Sequence, residues 1–132
     1  MYTLNLDIAQ FLSEYWQKKP LLIKKAFPLF EDPISADELA GLACEEEISS
    51  RIVVTKDDNW EVVQGPFEDY DSYGETHWQL LVQAVNHWYP DSQPLVEALR
   101  FLPDWRFDDL MASFATPSGG VGPHVDNYDV FI

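Results

Sequence analysis

With 132 residues, 46% of them hydrophobic and 14% aromatic, the chain is long enough for one globular domain and is not typical of a disordered segment. Its 8 basic and 23 acidic residues give a formal net charge of −15, which disfavours direct contact with a nucleic acid and favours a basic partner. No apolar run approaches the roughly 20 residues of a membrane span, no secretory signal is evident, and Cys44 has no second cysteine to pair with, so we expect a cytoplasmic protein.

The N-terminal segment is predicted to form a helix followed by a short strand. Residues 6–17 place five apolar side chains on one face of a helix: Ile8, Phe11, Leu12, Tyr15 and Trp16. Pro20 should end this helix. We expect Leu21–Ile23 to form a short buried strand.

The next segment carries a helix start and a hairpin. Ser35 and Glu38 fit a capping box, which predicts a helix from that point. Residues 51–55 and 60–64 are rich in β-branched residues, and the turn formers at 57–59 between them predict a β-hairpin. Residues 67–75 are expected to form an exposed loop.

The segments after residue 75 have less regular sequence patterns. Residues 78–88 fit either a helical stripe or one face of a strand, and periodicity alone does not decide between the two. A helix is predicted over 95–101 and a strand over 107–115. A glycine-rich loop over 116–123 should lead into a final strand, 124–132.

The final strand would end the chain on three apolar residues without a turn signal. Such a strand exposes unpaired backbone groups at an edge, where another strand can add. We therefore expect the sequence to be the N-terminal piece of a longer protein. We also expect the isolated piece to pair with a second copy or another chain through this strand, so that a homo-oligomer is predicted.

His124 and Asp126 carry the clearest chemical signal. Residues two apart on a strand point to the same face, so an imidazole nitrogen and a carboxylate oxygen would be presented side by side. This pair is two thirds of the facial triad, two histidines and one carboxylate, that holds ferrous iron. Alone the pattern is weak, because a surface histidine beside a turn aspartate would look the same.

The wider sequence strengthens this interpretation. Gly122-Pro-His-Val-Asp-Asn-Tyr-Asp-Val-Phe131 and Leu102-Pro-Asp-Trp-Arg-Phe-Asp-Asp-Leu-Met-Ala-Ser-Phe114 resemble segments of the bacterial cupin-type JmjC ribosomal oxygenases. Five further segments resemble that family in order and spacing: Trp16-Gln-Lys-Lys-Pro20, Asp32-Pro-Ile-Ser35, Asp37-Glu-Leu-Ala-Gly-Leu42, Gly65-Pro-Phe-Glu68 and Leu80-Leu-Val-Gln-Ala-Val-Asn-His-Trp88. The resemblance thus covers nearly the whole chain, and it favours a strand over 77–85.

The resemblance implies an α+β fold in which N-terminal helices and strands lead into a double-stranded β-helix, the cupin or JmjC jelly roll. Residues 1–132 would be the N-terminal part of one such domain, truncated within the His-x-Asp strand. It further implies Fe(II) and 2-oxoglutarate, and hydroxylation of an arginine in a basic, large-subunit ribosomal protein. 2-Oxoglutarate would be decarboxylated to succinate as oxygen enters a C–H bond of that arginine.

Carried over by position, His124 and Asp126 would be metal ligands. Ser113 would contact 2-oxoglutarate or substrate, although a strand serine bonded to backbone or water is as plausible. Tyr128 could contact the cosubstrate or simply pack in the barrel. Asp108 and Asp109 could pair with a guanidinium or form a solvated turn.

The other histidines, His77 and His87, are interpreted as structural, because the family's third metal ligand lies well downstream of the His-x-Asp. Cys44 is expected to be buried and inert. Without a third ligand and a basic residue for the far carboxylate of 2-oxoglutarate, the 132 residues alone are expected to be inactive. A non-catalytic binding module for a basic protein and a metal-using isomerase remain alternatives.

Overall fold

Four antiparallel strands form the sheet on which the rest of the chain packs. The computed structural model describes residues 1–132, and the strands are β1 (Ser50–Lys56), β2 (Asn59–Gln64), β3 (Trp78–Val82) and β4 (Ala112–Ala115). Their order in the sheet is β2-β1-β3-β4, so β2 and β4 are the two edges. The mixture of one antiparallel sheet with short flanking helices confirms the predicted α+β class.

The predicted hairpin is confirmed as β1 and β2. Lys56 pairs with Asn59, which leaves a two-residue turn at Asp57 and Asp58. Both aspartates have positive φ, 49° and 60°, as a tight hairpin turn of the I′ type requires. Aspartate tolerates this conformation better than most residues, so the turn chemistry explains the sharp reversal.

The helices are short. They are α1 (Ile8–Gln10), which continues as a π-helical turn (Phe11–Tyr15), α2 (Ala36–Leu42), α3 (Val85–Trp88) and α4 (Gln93–Glu97). The capping box is confirmed at α2, where Ser35 Oγ accepts from the Glu38 backbone N–H at 3.2 Å and the Glu38 carboxylate accepts from the Ser35 N–H at 2.8 Å. None of the helices has the length and apolar character needed to cross a bilayer.

Helix α2 and its following turn cover one face of the sheet. Nine buried side chains form this core: Leu39, Ala43, Ile48, Ile52, Phe67, Trp78, Leu80, Val82 and Val85. The segment 67–75 is therefore not the simple exposed loop that was predicted. Phe67 is buried, and Tyr70 and Tyr73 pack against the core, because the aromatic rings turn inward while the acidic side chains between them stay in solvent.

Tyr70 shows how tightly this segment is tied to α2. Its hydroxyl donates to the Ala40 carbonyl at 2.7 Å, and its ring stacks on Trp78 at 6.1 Å between centroids. Burial, with a smaller effect of the neighbouring Cys44, raises the pKa of Tyr70 to about 12. Cys44 itself is exposed, which corrects the prediction of a buried cysteine: it follows the last turn of α2 on the solvent side.

Several element boundaries differ from the sequence-based prediction. The predicted strand at Leu21–Ile23 is wrong: no neighbouring strand pairs with it, and Leu22 is 84% exposed. The first helix begins only after its Asp7 cap and ends at Tyr15, and α4 covers 93–97 rather than 95–101.

The ambiguous segment 78–88 contains both alternatives in succession. Strand β3 ends at Val82, and Ala84 takes a left-handed conformation (φ 53°) that separates it from α3.

The strand predicted over 107–115 is reduced to β4. The strand predicted over 124–132 is wrong for this chain, because these residues make no backbone hydrogen bond to any neighbour and a strand requires such a partner.

Candidate metal centre

The loop that follows β4 is fastened to the start of β3. Thr116 Oγ1 accepts from the Trp78 backbone N–H at 3.0 Å and donates to the Trp78 carbonyl at 2.7 Å. The Pro117 carbonyl accepts from the His77 N–H at 2.8 Å. The loop therefore leaves the β4 edge and runs along the end of the sheet toward the strands on its other side.

Two glycines let this loop lie directly against the sheet. A Cβ at Gly119 would be 2.2 Å from the Trp78 carbonyl oxygen, closer than any real carbon atom can approach. Gly122 has a φ of 78°, and a Cβ there would be 2.8 Å from Cδ2 of Trp60 on β2. Glycine is required at Gly122 by its backbone conformation and at both positions by lack of space. The loop is thereby held from β3 to β2, and His124 follows two residues later.

The imidazole of His124 is oriented by the loop that precedes it. His124 Nδ1 lies 2.9 Å from the Gly122 carbonyl oxygen. A carbonyl can only accept, so this bond requires a proton on Nδ1, and in the neutral imidazole the lone pair then lies on Nε2. His124 Nε2 lies 3.6 Å from Asp126 Oδ2, and the two side chains are 52% and 53% exposed. The predicted pair is thus brought together and accessible, although its backbone is not a regular strand.

These two donors fit a metal ion. Bonds from a metal to a histidine nitrogen or a carboxylate oxygen are about 2.0–2.2 Å long, as in zinc sites, so one ion can contact both atoms across the 3.6 Å gap. A histidine whose other nitrogen donates to a backbone carbonyl is the usual form of a metal-binding imidazole. No group of three or more potential ligands occurs in the chain. The structure therefore offers two metal ligands, and the other coordination positions of the metal would be open.

An aromatic cluster holds the far end of the same segment. Phe131 packs against Phe11, Trp16 and Phe101, with ring centroids 6.0, 6.2 and 6.5 Å away. Asp129 Oδ2 also accepts from Gln17 Nε2 at 3.3 Å. The His124-x-Asp126 segment is thus tethered at both ends, by the glycine loop and by contacts to the N-terminal helix. The sequence analysis missed this second tether, because the aromatic residues gave no signal beyond general core packing.

The other predicted site residues lie in separate surroundings. Ser113 Oγ accepts from Gln79 Nε2 at 3.0 Å on the exposed side of the sheet. Tyr128 is 70% exposed and makes no hydrogen bond. Asp109 Oδ2 accepts from the Ala84 backbone N–H at 3.0 Å, which is a structural use of that carboxylate and leaves Asp108 as the exposed one of the pair.

The two remaining histidines lie outside the candidate centre. His77 precedes β3 and its Nδ1 is 2.8 Å from Thr76 Oγ1, whereas His87 lies in α3. Both are exposed, and neither joins a group that could hold a metal.

The matches of this chain to known proteins agree with one another. Residues 94–132, which include the His-x-Asp pair, match the family model described as a JmjC domain. The chain is 58% identical over 131 residues to the ribosomal protein uL16 3-hydroxylase of Escherichia coli K12. It is 38% identical over 125 residues to a probable ribosomal oxygenase of Haemophilus influenzae. These matches cover 99% and 92% of this chain but only 35% and 31% of the relatives, so the chain spans about a third of the length of each relative.

Solved structures support the same relationship. The ribosomal oxygenase YcfD from E. coli, in complex with cobalt and 2-oxoglutarate, superposes with a TM-score of 0.92 at 56% identity, covering 96% of this chain and 35% of that one. The complex with cobalt and succinic acid gives the same values. These matches confirm both the resemblance to bacterial ribosomal oxygenases and the expected fold.

Proposed function

We propose that these 132 residues are the N-terminal part of a JmjC-type ribosomal oxygenase, a single domain whose catalytic centre they share with the chain that follows. The observation that carries this proposal is the His124 and Asp126 pair, with His124 Nε2 3.6 Å from a carboxylate oxygen in the segment that matches a JmjC domain. The domain assignment is supported by the share of the relatives that the chain spans.

His124 and Asp126 would hold the metal, and a third ligand would come from outside these residues. We propose Fe(II) as that metal, because two histidines and a carboxylate form the ligand set of iron oxygenases that use 2-oxoglutarate. When bound, the iron supplies the oxidising chemistry that couples decarboxylation of 2-oxoglutarate to hydroxylation of a C–H bond. The chain's own part is to fix the two ligands through the glycine loop and the aromatic cluster. Ser113 is a proposed contact to 2-oxoglutarate or substrate, and Tyr128 is a proposed contact to 2-oxoglutarate.

A basic ribosomal protein is the proposed substrate, with an arginine side chain as the target. The net charge of −15 favours encounter with such a partner and disfavours the phosphate backbone of ribosomal RNA. The E. coli relative is named for hydroxylation of ribosomal protein uL16. A ribosomal substrate would place the protein in the cytoplasm. We also propose that copies of the full-length protein associate with one another.

The test is a hydroxylation assay with the full-length protein. The protein would be incubated with Fe(II), 2-oxoglutarate and uL16 from the same organism, and uL16 would be analysed by tandem mass spectrometry. We expect the gain of one oxygen on an arginine, together with succinate. His124→Ala should abolish both products, and His87→Ala, which changes an exposed histidine outside the centre, should leave them unchanged.

Three results would contradict parts of the proposal. Binding of uL16 without any 2-oxoglutarate turnover would favour a non-catalytic binding module. A metal-dependent reaction that needs no 2-oxoglutarate would favour an isomerase. Oxygen on a residue other than arginine would leave the oxygenase in place and overturn the proposed target.

A further inference from the structure

Trp60 lies beneath the loop that carries the predicted metal ligand. It is the second residue of β2 and pairs with Thr55 on β1, directly after the hairpin turn. The Gly122 α-carbon lies against the indole so closely that an added Cβ would be 2.8, 3.0 and 3.1 Å from three atoms of its ring system. The loop from β4 therefore ends its passage across the sheet on this side chain.

The contact with Gly122 is the distinctive interaction of the Trp60 side chain. The ring pairs with no other aromatic ring, its indole N–H donates no hydrogen bond, and 43% of the residue is exposed. Trp78, which lies in the core, differs on all three counts: it stacks on Tyr70, donates to the Gly74 carbonyl and is 8% exposed. A large, half-exposed indole on an edge strand is thus placed where it can support the loop.

The same glycine that rests on Trp60 also orients the imidazole. The Gly122 carbonyl accepts from His124 Nδ1 at 2.9 Å, and its direction depends on the positive φ of 78° at that residue. The indole fills the space on the side of Gly122 toward which a Cβ would project. The position of the indole is therefore coupled, through one residue, to the tautomer and direction of His124.

We infer that Trp60 is a positioning residue for the metal ligand His124. It acts through Gly122 and touches neither the metal nor the substrate. This inference rests on the proposed function in that His124 is taken as a ligand. It adds a residue 64 positions earlier in the chain, outside the segment 94–132 that matches the JmjC domain.

The test compares Trp60→Ala and Trp60→Phe in the full-length protein, with Trp88→Ala as the matched control. Trp88 is exposed to a similar extent, 46%, and lies in α3, and the ring that a Cβ at Gly122 would meet is that of Trp60. The first readout is the Kd for Co(II), the metal found with the E. coli relative. Loss of a group that hydrogen-bonds to a metal ligand costs about 10–100-fold in metal affinity. Trp60 acts through such a group, so we expect the lower end of that range, about 10-fold, for Trp60→Ala. Trp60→Phe should recover part of it, and Trp88→Ala should match the wild type.

The second readout needs no metal. Nitrogen-15 NMR of the histidine side chains in the metal-free protein should show one tautomer of His124, protonated at Nδ1, in the wild type. Trp60→Ala should give averaged signals from both tautomers, whereas Trp88→Ala should retain the wild-type spectrum. If Trp60→Ala does not fold, Trp60→Leu, which keeps apolar bulk without the flat ring, takes its place in both measurements.

A folded Trp60→Ala protein with the wild-type Kd and the wild-type His124 spectrum would overturn the inference. So would lowered thermal stability with both readouts unchanged, because this would reduce Trp60 to a structural cover for the loop. If the wild type binds no Co(II), the proposed function fails, and the metal-free NMR comparison still decides the role of Trp60.

Discussion

Replacing Gly119 with alanine tests how the glycine loop holds the predicted ligands. The new Cβ would lie 2.2 Å from the Trp78 carbonyl oxygen and 3.0 Å from that of Thr116, both backbone atoms that cannot rotate away. Contacts of this kind require at least 3.0 Å, so the loop or the start of β3 must shift by about 1 Å. Overpacking of this size costs about 1–3 kcal/mol.

We expect Gly119→Ala in the full-length protein to lower the urea midpoint and to weaken Co(II) binding, because the displaced loop carries His124. Gly120→Ala is the matched control in the same loop: its Cβ would meet nothing within 4 Å. That change should be neutral or stabilising by up to about 1 kcal/mol, since alanine restricts the unfolded chain. Equal urea midpoints and equal Co(II) affinities for the two variants would refute the proposed packing of the loop.

Three further changes test other contacts. The Glu38 carboxylate accepts the cap hydrogen bonds of α2, and these bonds lower its pKa. Its contribution to the stability of the folded protein should therefore be present at neutral pH and be lost as the pH falls below 4.5. Glu38→Gln should flatten this acid dependence of the urea midpoint. Asp109→Ala should cost about 1–3 kcal/mol by leaving the Ala84 N–H without its acceptor, measured by urea unfolding, whereas Asp108→Ala should cost nothing measurable; equal values would contradict this. Phe131→Ala should make residues 124–132 more mobile, measured as lower backbone nitrogen-15 order parameters, and unchanged order parameters would exclude the aromatic cluster as a tether.

Local chemistry made part of the fold predictable. The capping box at Ser35 and the aspartate turn at Asp57 and Asp58 depend on residues close in sequence, and both were correctly predicted. Segments whose structure depends on distant partners were not. The apolar run Leu21–Ile23 has the composition of a strand but no neighbour to pair with, and residues 124–132 lack one as well.

The candidate site also has features that could be predicted from the sequence and features that could not. The side chains of His124 and Asp126 were predicted to meet on one face of a strand, and in the structure they do meet, but without that strand. The contacts that orient them were not predictable from spacing. Trp60 reaches Gly122 because of the order of strands in the sheet, and Asp109 bonds to Ala84 because two loops meet. Such contacts follow from tertiary structure, and a half-exposed tryptophan has no sequence pattern that indicates what it supports.

The central claim is that His124 and Asp126 are two ligands of one metal ion. It is tested most directly by titrating the full-length protein with Co(II) and following the visible absorption of the bound metal. We predict saturable binding by the wild type and by Asp108→Ala, and loss of the absorption band or a large fall in affinity in both His124→Ala and Asp126→Ala. Wild-type binding by either ligand variant would contradict the claim.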